Sequence, residues 1–475
     1  MDSWIDTEFG SVELGDVRRN RRLQIVAESM WRSPQASVSG ASNGCWAEAK
    51  GAYRLWENPG STPQAILAPH YQQTLERAKL SRLLLHVQDT TELDYTGREL
   101  KGTGPLSELT RRGFFAHSEY LLQEDGLPLG LSHSTIYARA DEEHKQQSER
   151  RHQLPIEEKE SYRWLEGYRR ACELRGLFPN RLVISMSDRE GDIYEGFEEY
   201  FQRKERGEPF AHWIIRCNQD RNIIPQPEDQ AVHSHIKAAV AAAPVLGTTI
   251  LKVRFKEQCK KVKGNRQWTV RSGRKAELQI RACQVELKPP WRPGAQKLTP
   301  LKIWVVLAKE IDPPAGEEPI EWILLTSLSA RTFKKALQIL KLYTRRWQIE
   351  VFHKILKSGC RVEKSQLKDS ERLLPRVALQ MVIAWRIHYV TLLGRACPDL
   401  PCGAVFQECE WKPLVVIFCS QAHQPEEPSL AQMIQWLGRL GGHLGRKGDG
   451  PPGPQSISKG MLRMLDFALL WDALH

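Results

Sequence analysis

The sequence lacks a long apolar run, paired cysteines and any surplus of acidic residues. No run reaches the ~18 apolar residues that a membrane-spanning helix needs. Residues 1–10 are acidic and have no apolar region of the kind found in a secretory signal. The ten cysteines form no C-x-x-C pair, so we expect reduced, mostly buried thiols rather than a zinc ribbon. These absences predict a cytoplasmic protein that has no membrane partner.

The positive charge is large and unevenly distributed. The 475 residues carry a formal net charge of +11, which favours a polyanionic partner, nucleic acid first. Residues 252–302 hold 15 Lys or Arg against three Glu, interleaved with Trp268 and Trp291. This segment is either a solvated basic face or a contact with a phosphate backbone, and its density favours the second interpretation.

The first 75 residues are predicted to form a small helical domain. Two stretches with helical spacing, LQIVAESMW and CWAEAKGAYRLW, are separated by a Ser/Gly/Asn loop. Basic residues precede the first of them, and the candidate DNA contacts among these are Arg18, Arg19 and Arg22. Such a domain suits docking on DNA. It equally suits any small helical bundle.

Residues 76–370 alternate strand and helix patterns and indicate an α/β catalytic domain. Two of the predicted strands end in Asp89 and in Asp188. Open α/β sheets place their active sites at strand ends, although an Asp after a strand is also a common turn or cap residue. Residues 220–320 are rich in Lys, Arg, Val, Thr and Pro and predict a β-rich insertion. Residues 371–475 are predicted to be helical.

A long helix is expected from about residue 333 to 357. Four polar side chains would share one of its faces, at spacings of three, four and seven: Tyr343, Arg346, Glu350 and Lys357. Three apolar residues on the opposite side would pack on the core: Trp347, Val351 and Ile355. A face of this composition suits phosphoryl transfer, since Glu binds metal while Arg and Lys hold phosphate oxygens. A surface helix stabilised by salt bridges is the alternative.

Three acids that come together would need a counter-charge. Asp89, Asp188 and Glu350 would repel one another and raise each other's pKa. Two Mg²⁺ ions, with Mn²⁺ as a substitute, relieve that repulsion and suit carboxylate ligands. Such a pair of ions can serve both the attacking and the leaving oxygen of a phosphodiester.

Three segments resemble the catalytic motifs of bacterial cut-and-paste transposases: QDTTELDY, SDREGDIYEGF and YTRRWQIEVFHKILKSG. The last matches the Y-x2-R-x3-E-x6-K signature of the insertion-sequence-four family, of the Tn-five transposase type, without departure. Members of this family are DDE enzymes with a ribonuclease-H-like core. LGDVRRNRRL and GAYRLWENP are similar to the family's DNA-binding domain, and LGGHLGRKGDGPPG resembles its C-terminal dimer-contact region. The resemblance covers nearly the whole chain.

The resemblance implies individual roles. The metal ligands and catalytic acids would be Asp89, Asp188 and Glu350. The residues that contact the transposon end would be Tyr343, Arg346, Lys354 and Lys357. Relatives fill the long stretch between the second and third acids with a β-rich insertion, as residues 220–320 suggest. The residues 371–475 would form the dimerisation region.

Two further residues match DNA-contacting positions of the family. Trp322 corresponds to an aromatic on which relatives stack a flipped base, and stacking of an extruded base on an aromatic ring is physically reasonable. A tryptophan in the core of a strand is the alternative. Arg216 matches a basic contact with DNA, for which a solvated arginine is the alternative.

The implied reaction is a series of in-line displacements at phosphorus. Water cuts the transposon end and frees a 3′-OH, which closes a hairpin on the opposite strand. Water then opens the hairpin, and the 3′-OH ends attack target DNA. The partners would be double-stranded DNA and a second copy of the chain. A stand-alone nuclease and an inactive, transposase-derived DNA-binding protein are the rival interpretations. Glycoside hydrolysis, which also uses two carboxylates, would not explain the basic charge.

Overall fold

The structure is a computed structural model that describes most of the chain. The described residues are 3–42, 44–140, 154–225, 233–253, 256–262, 265–291, 298–420, 425–446 and 448–474. Parts of the basic segment 252–302 and the side chain of Trp268 therefore lie outside the described residues. The chain divides into two compact units. Unit 1 consists of Met1–Glu149 and Trp347–His475, and unit 2 consists of Arg150–Arg346.

The described residues form α-helices and strands that we number in chain order. The helices are α1 (Trp4–Phe9), α2 (Val17–Arg32), α3 (Val38–Ala41), α4 (Trp46–Trp56), α5 (Pro63–Ala78), α6 (Tyr162–Leu177), α7 (Tyr194–Glu205), α8 (Ile236–Ala242), α9 (Phe333–Thr344), α10 (Trp347–Lys354), α11 (Ser370–Ala396), α12 (Glu408–Phe418), α13 (Leu430–Leu440) and α14 (Pro454–Leu474). The strands are β1 (Leu83–Asp94), β2 (Gly104–Pro105), β3 (Arg112–Gln123), β4 (Pro128–Tyr137), β5 (Leu182–Ser187), β6 (His212–Arg216), β7 (Val245–Val253), β8 (Lys256–Val262), β9 (Asn265–Arg271), β10 (Arg274–Leu287), β11 (Leu301–Glu310) and β12 (Glu321–Thr326).

The N-terminal helices confirm the two predicted helical stretches as α2 and α4. Side-chain caps fix where the helices begin. Asp16 accepts a hydrogen bond from the backbone N–H of Arg18 at 2.8 Å, and Thr62 accepts one from Ala65 at 3.1 Å. Such caps satisfy backbone donors that have no partner within the helix. The buried side of α2 is apolar and consists of Leu23, Val26, Ala27, Met30 and Trp31.

The strands of unit 1 form an antiparallel arrangement in which β1 and β4 flank β3. Residues 124–127 join β3 to β4 in a hairpin. The sequence pattern predicted that the first strand ends at Asp89, but β1 continues to Asp94. Its last five residues stay paired with β3, and Asp89 itself lies opposite Ser118. Asp89 is therefore a mid-strand residue, because backbone pairing continues although the apolar run stops.

The helix expected from residue 333 to 357 is interrupted. Helix α9 ends at Thr344, a turn follows, and α10 begins at Trp347. A π-helical turn, Ile355–Gly359, then continues from α10. The prediction that Trp347 packs on the core was wrong, since it is 53% exposed. Ile355 is buried, as predicted, together with Ile349, Phe352, His353 and Leu356.

Helix α11 is the central helix of unit 1. By length and composition it is the one helix among the described residues that is apolar enough to cross a membrane. Most of its apolar window, 83%, is buried inside the protein. Trp385 on this helix donates a hydrogen bond to the carbonyl of Pro128, at the start of β4, at 3.1 Å. These contacts are those of a core helix.

Unit 2 contains a mixed sheet with the strand order β5-β6-β12-β11-β10-β7. Strands β5 and β6 are parallel, and the other neighbouring strands of this sheet run antiparallel. Strands β8 and β9 form a separate antiparallel pair. The mixed sheet and its flanking helices confirm the predicted α/β class. The strands β7 to β10 supply the β-rich character expected for residues 220–320, while the domain boundaries stay predictions.

Candidate active site

Unit 1 brings two of the three predicted acids onto neighbouring elements. Asp89 lies on β1, and Glu350 lies on α10, which packs against β1. The backbone N–H of Thr90 donates to Asp89 Oδ1 at 3.0 Å. Asp89 Oδ2 lies 3.8 Å from Nδ1 of His353, and the Asp89 side chain is 16% exposed. The Asp89 side chain is thus mostly buried beside α10, the helix that carries Glu350.

Helix α10 is fixed in place by a buried polar relay. The Gln348 side chain contacts His388 of α11 at 3.0 Å, and the same imidazole contacts the Tyr120 hydroxyl of β3 at 3.0 Å. Phe352 stacks on the Tyr120 ring at 4.9 Å. Burial lowers the pKa of His388 to about 3, so its imidazole is neutral at pH 7. A neutral ring can donate with one nitrogen and accept with the other, as this relay requires.

The two lysines of this segment differ in exposure. Lys354 ends α10 and is exposed, whereas Lys357 lies in the π-helical turn and is partly buried. The pKa of the Glu92 carboxyl is lowered overall, although burial by itself would raise it. Hydrogen bonds from Ser107 lower it most, and the charges of Arg111 and Lys357 contribute further. Lys357 therefore lies close to an acid of β1, while Lys354 faces solvent.

The third acid lies in unit 2. Asp188 directly follows β5, as predicted, and begins the short 3-10 turn Arg189–Gly191. Its Oδ1 accepts a hydrogen bond from the backbone N–H of Glu190 at 2.9 Å. A side chain added at Gly191 would meet the Ser187 hydroxyl at 2.0 Å, so only glycine permits this tight turn. The turn and the strand end together fix the Asp188 carboxylate.

Several cations of unit 2 gather near Asp188. Burial lowers the pKa of the Arg216 guanidinium, and nearby Arg189 and Arg346 lower it further. Tyr343 and Asp188 act in the opposite direction. Like charges that repel one another in a partly buried place are typical of a functional site, because an anionic ligand relieves the repulsion. This cluster suits a phosphate group.

An aromatic pair adjoins these cations. Trp322 on β12 contacts the Tyr343 ring edge-on at 6.3 Å, and the Arg346 guanidinium lies 5.8 Å from the same ring. Burial raises the pKa of the Tyr343 hydroxyl, so it remains a proton donor at neutral pH. Trp322 is partly exposed rather than fully enclosed in the core. Unit 2 thus brings together five of the predicted site residues: Asp188, Arg216, Trp322, Tyr343 and Arg346.

One cation of this cluster was missed by the sequence analysis. Arg189 directly follows Asp188 and lies close enough to Arg216 to affect its pKa. The signal was present, because Arg189 belongs to the same SDREGD segment as Asp188.

The three predicted arginines of α2 lie in different environments. Arg18 is 93% exposed in its side chain. Arg19 donates to the Leu14 carbonyl at 2.6 Å and to Asn58 Oδ1 at 2.8 Å. Arg22 forms an ion pair with Glu48 at 3.6 Å. Arg18 is therefore the most accessible of the three, while Arg19 joins the loop before α2 to the end of α4.

The donors that a metal ion would need are present as carboxylates. Hard oxygen donors suit Mg²⁺ and Mn²⁺ better than softer metals. Within the parts of the chain that the structure describes, no group of three or more His, Cys, Asp or Glu side chains is arranged to hold a metal ion. Two acids, Asp89 and Glu350, belong to unit 1, and Asp188 belongs to unit 2. The chemistry of these carboxylates fits a divalent cation.

An α/β core with acids on or beside its strands, clustered arginines and a net positive charge defines a phosphoryl-transfer enzyme that acts on nucleic acid. Three family models match the chain in order. The transposase DNA-binding model matches residues 1–60, the transposase DDE domain model matches residues 198–385, and the transposase Tn5 dimerisation domain model matches residues 382–469. The chain belongs to the Tn5-type DDE transposases. It is therefore an enzyme that cleaves phosphodiester bonds and transfers DNA strands.

The matched spans agree with the described elements. The DNA-binding match covers α1 to α4, and the dimerisation match covers most of α11 and continues into α14. The DDE match includes Glu350 and begins after Asp188. The family implies DNA binding, dimer formation and the use of a divalent metal, generally Mg²⁺. The roles of the individual acids are not given by these matches.

Proposed function

We propose that Asp89, Asp188 and Glu350 hold two divalent cations at which a transposon end is cut and joined to target DNA. When bound, the two ions would activate the attacking oxygen and stabilise the leaving one, and Mn²⁺ would substitute for Mg²⁺. The observation that carries the proposed metal site is the packing of α10, which bears Glu350, against β1, which bears Asp89. The arginines beside Asp188 form a cluster that adds a place for phosphate groups. Such a cluster is stabilised by the phosphates of a nucleic acid strand.

The other residues of unit 2 have roles that follow from their chemistry. Arg216, Arg189 and Arg346 would bind phosphate oxygens, because guanidinium groups donate in a fixed fork. The protonated Tyr343 hydroxyl would donate one further hydrogen bond. Trp322 would stack on a base that leaves the duplex, since its ring is partly exposed beside these phosphate-binding groups. Lys354 and Lys357 of unit 1 would contact the backbone of the same DNA.

The proposed reaction proceeds in four displacements. Water attacks the phosphodiester at the transposon end, and the 3′-oxygen leaves as a 3′-OH. That hydroxyl attacks the phosphodiester of the opposite strand, which closes a hairpin and releases the flanking DNA with a 3′-OH. A second water attacks the hairpin phosphodiester and frees the transposon 3′-OH again. The 3′-OH finally attacks target DNA and releases a target 3′-OH. A dimer that holds two ends would be the working assembly.

The test is the Glu350→Gln variant on a linear duplex that carries both transposon ends. We expect DNA binding to persist, because the amide keeps the side chain's size, and nicking to fall by at least about 10³-fold. Glu371→Gln is the matched control, since Glu371 is an exposed acid at the start of α11. Gel shift measures binding, and denaturing gels measure nicking, hairpins and strand joining separately. Nicking that survives in Glu350→Gln refutes the assignment of Glu350.

A further inference from the structure

His353 is a polar residue on an otherwise apolar buried side of α10. Its buried neighbours on this side are Ile349, Phe352 and Leu356. The His353 side chain is 7% exposed. A buried imidazole costs free energy unless it has a polar partner, so an apolar residue would be the simpler choice at this position. The phosphoryl-transfer roles proposed above do not use His353.

The Asp89 carboxylate faces this imidazole. Oδ1 of Asp89 is already bound by the Thr90 N–H at 3.0 Å, while Oδ2 lies 3.8 Å from His353 Nδ1. That separation is about 0.6 Å beyond a hydrogen bond. Hydrogen bonds at catalytic groups are often long before the substrate binds and shorten in the complex. A small side-chain rotation would therefore bring Asp89 Oδ2 within hydrogen-bonding distance of His353 Nδ1.

Helix α10 carries both Glu350 and His353. Glu350 and His353 are three residues apart, so they lie on neighbouring positions of one helical surface. The relay through Gln348 and His388, together with the stacking of Phe352 on Tyr120, holds α10 against the sheet of unit 1. One rigid helix thus carries a proposed metal ligand and presents an imidazole to a second ligand on β1.

We propose that His353 is a positioning residue that donates a hydrogen bond from Nδ1 to Asp89 and fixes this carboxylate for metal binding. The inference rests on the proposed function, because it takes Asp89 as a metal ligand. Groups that orient metal-binding carboxylates typically contribute 10- to 100-fold in metal affinity or activity. His353 does not itself contact the reacting atoms.

The test compares two amides at the same position. His353→Asn places its side-chain N–H near the position of Nδ1, whereas His353→Gln places it near Nε2. Mn²⁺ binding is measured by electron paramagnetic resonance on the full-length protein bound to an end-containing duplex. We expect Mn²⁺ affinity within about threefold of wild type for His353→Asn and a loss of about 10- to 100-fold for His353→Gln and His353→Ala. Melting in EDTA compares the folding of the variants without metal.

The outcomes separate this inference from the proposed function. Glu350→Gln serves as the reference variant in the same titration. If Glu350→Gln binds Mn²⁺ as tightly as wild type, the proposed metal site is wrong. If Glu350→Gln loses Mn²⁺ while His353→Gln retains it, only the role of His353 is overturned. Equal losses in His353→Asn and His353→Gln would also overturn it, because a donor at Nδ1 would then be of no benefit.

Discussion

Arginines that are neighbours in sequence need not share a role. Arg18 and Arg19 are adjacent on α2, yet Arg18 extends into solvent while Arg19 binds the Leu14 carbonyl and Asn58. The guanidinium of Arg19 donates hydrogen bonds to acceptors in the loop before α2 and in the segment after α4. Removal of a donor from such a place leaves its acceptors unsatisfied. Accessibility therefore makes Arg18 the better candidate for a phosphate contact.

Substitution of these two arginines should have opposite consequences. Arg18→Ala is expected to leave thermal stability unchanged and to weaken DNA binding, reducing the salt dependence by about one phosphate contact. Arg19→Ala is expected to lower stability by about 1–3 kcal/mol, since two hydrogen bonds are lost. Salt-dependent binding by fluorescence anisotropy and thermal unfolding measure the two effects. Unchanged salt dependence in Arg18→Ala would contradict its assignment as a phosphate contact.

At the scale of elements, close approach between helices is set by glycine. A side chain added at Gly460 of α14 would meet the Leu437 carbonyl of α13 at 1.8 Å. A side chain added at Gly441, just after α13, would meet the Ser456 carbonyl at 1.7 Å. The two helices therefore pack backbone against backbone. This contact lies in the segment that matches the dimerisation domain.

Gly460→Ala should consequently destabilise the C-terminal helices. The helices must separate to admit the new methyl group, at a cost of about 1–3 kcal/mol. Gly196→Ala is the matched control, because Gly196 lies in α7 with no atom within 4 Å of the added carbon. That control should be neutral or stabilising by roughly 0.5 kcal/mol, since alanine favours helix. Urea unfolding measures both, and equal effects would contradict the packing argument.

The interruption between α9 and α10 shows how an element can differ from its sequence pattern. Regular spacing of Tyr343, Glu350 and Lys357 predicted one continuous helical face. Instead a turn separates the first residue from the second, and a π-helical turn holds the third. π-helical turns often occur at functional sites. The periodicity of side chains along the sequence does not predict such breaks, because they depend on tertiary packing.

At the scale of the whole molecule, buried histidines link stability to pH. Burial lowers the pKa of His388 in unit 1 to about 3 and that of His212 in unit 2 to about 4. Burial also lowers the pKa of His70 in unit 1. All three fall below the ordinary value of 6.5, so the unfolded chain binds more protons than the folded chain at mildly acidic pH. Stability from these groups is complete above pH 6.5 and is lost as the pH falls toward these lowered values.

The thermal midpoint should therefore decrease as the solution is acidified. We expect a fall of roughly 5 °C or more between pH 7 and pH 5, measured by circular dichroism. His388→Gln should be less stable at pH 7 but should show a flatter dependence over this range, because one proton-linked group is removed. A midpoint that stays constant down to pH 5 in wild type would show that these imidazoles are not buried in solution.

The sequence by itself determined the family, the α/β class and the types of residue at the site. The spacing of the motifs can be recognised in the sequence without knowledge of the fold. The surplus of Lys and Arg indicates a polyanionic partner, however the chain packs. Strand and helix patterns likewise located β1, β5 and the two main N-terminal helices, since periodicity follows from which side of an element is buried.

Only the tertiary structure decided the environment of each side chain. It showed that Asp89 lies within a strand, that Arg19 is bound by its own domain, and that Arg189 joins the cations beside Asp188. It also showed that His353 is buried against Asp89, although a single histidine in a helix gives no such signal in sequence. The physical reason is that burial and charge clustering arise from contacts between residues distant in the chain, which local sequence patterns do not encode.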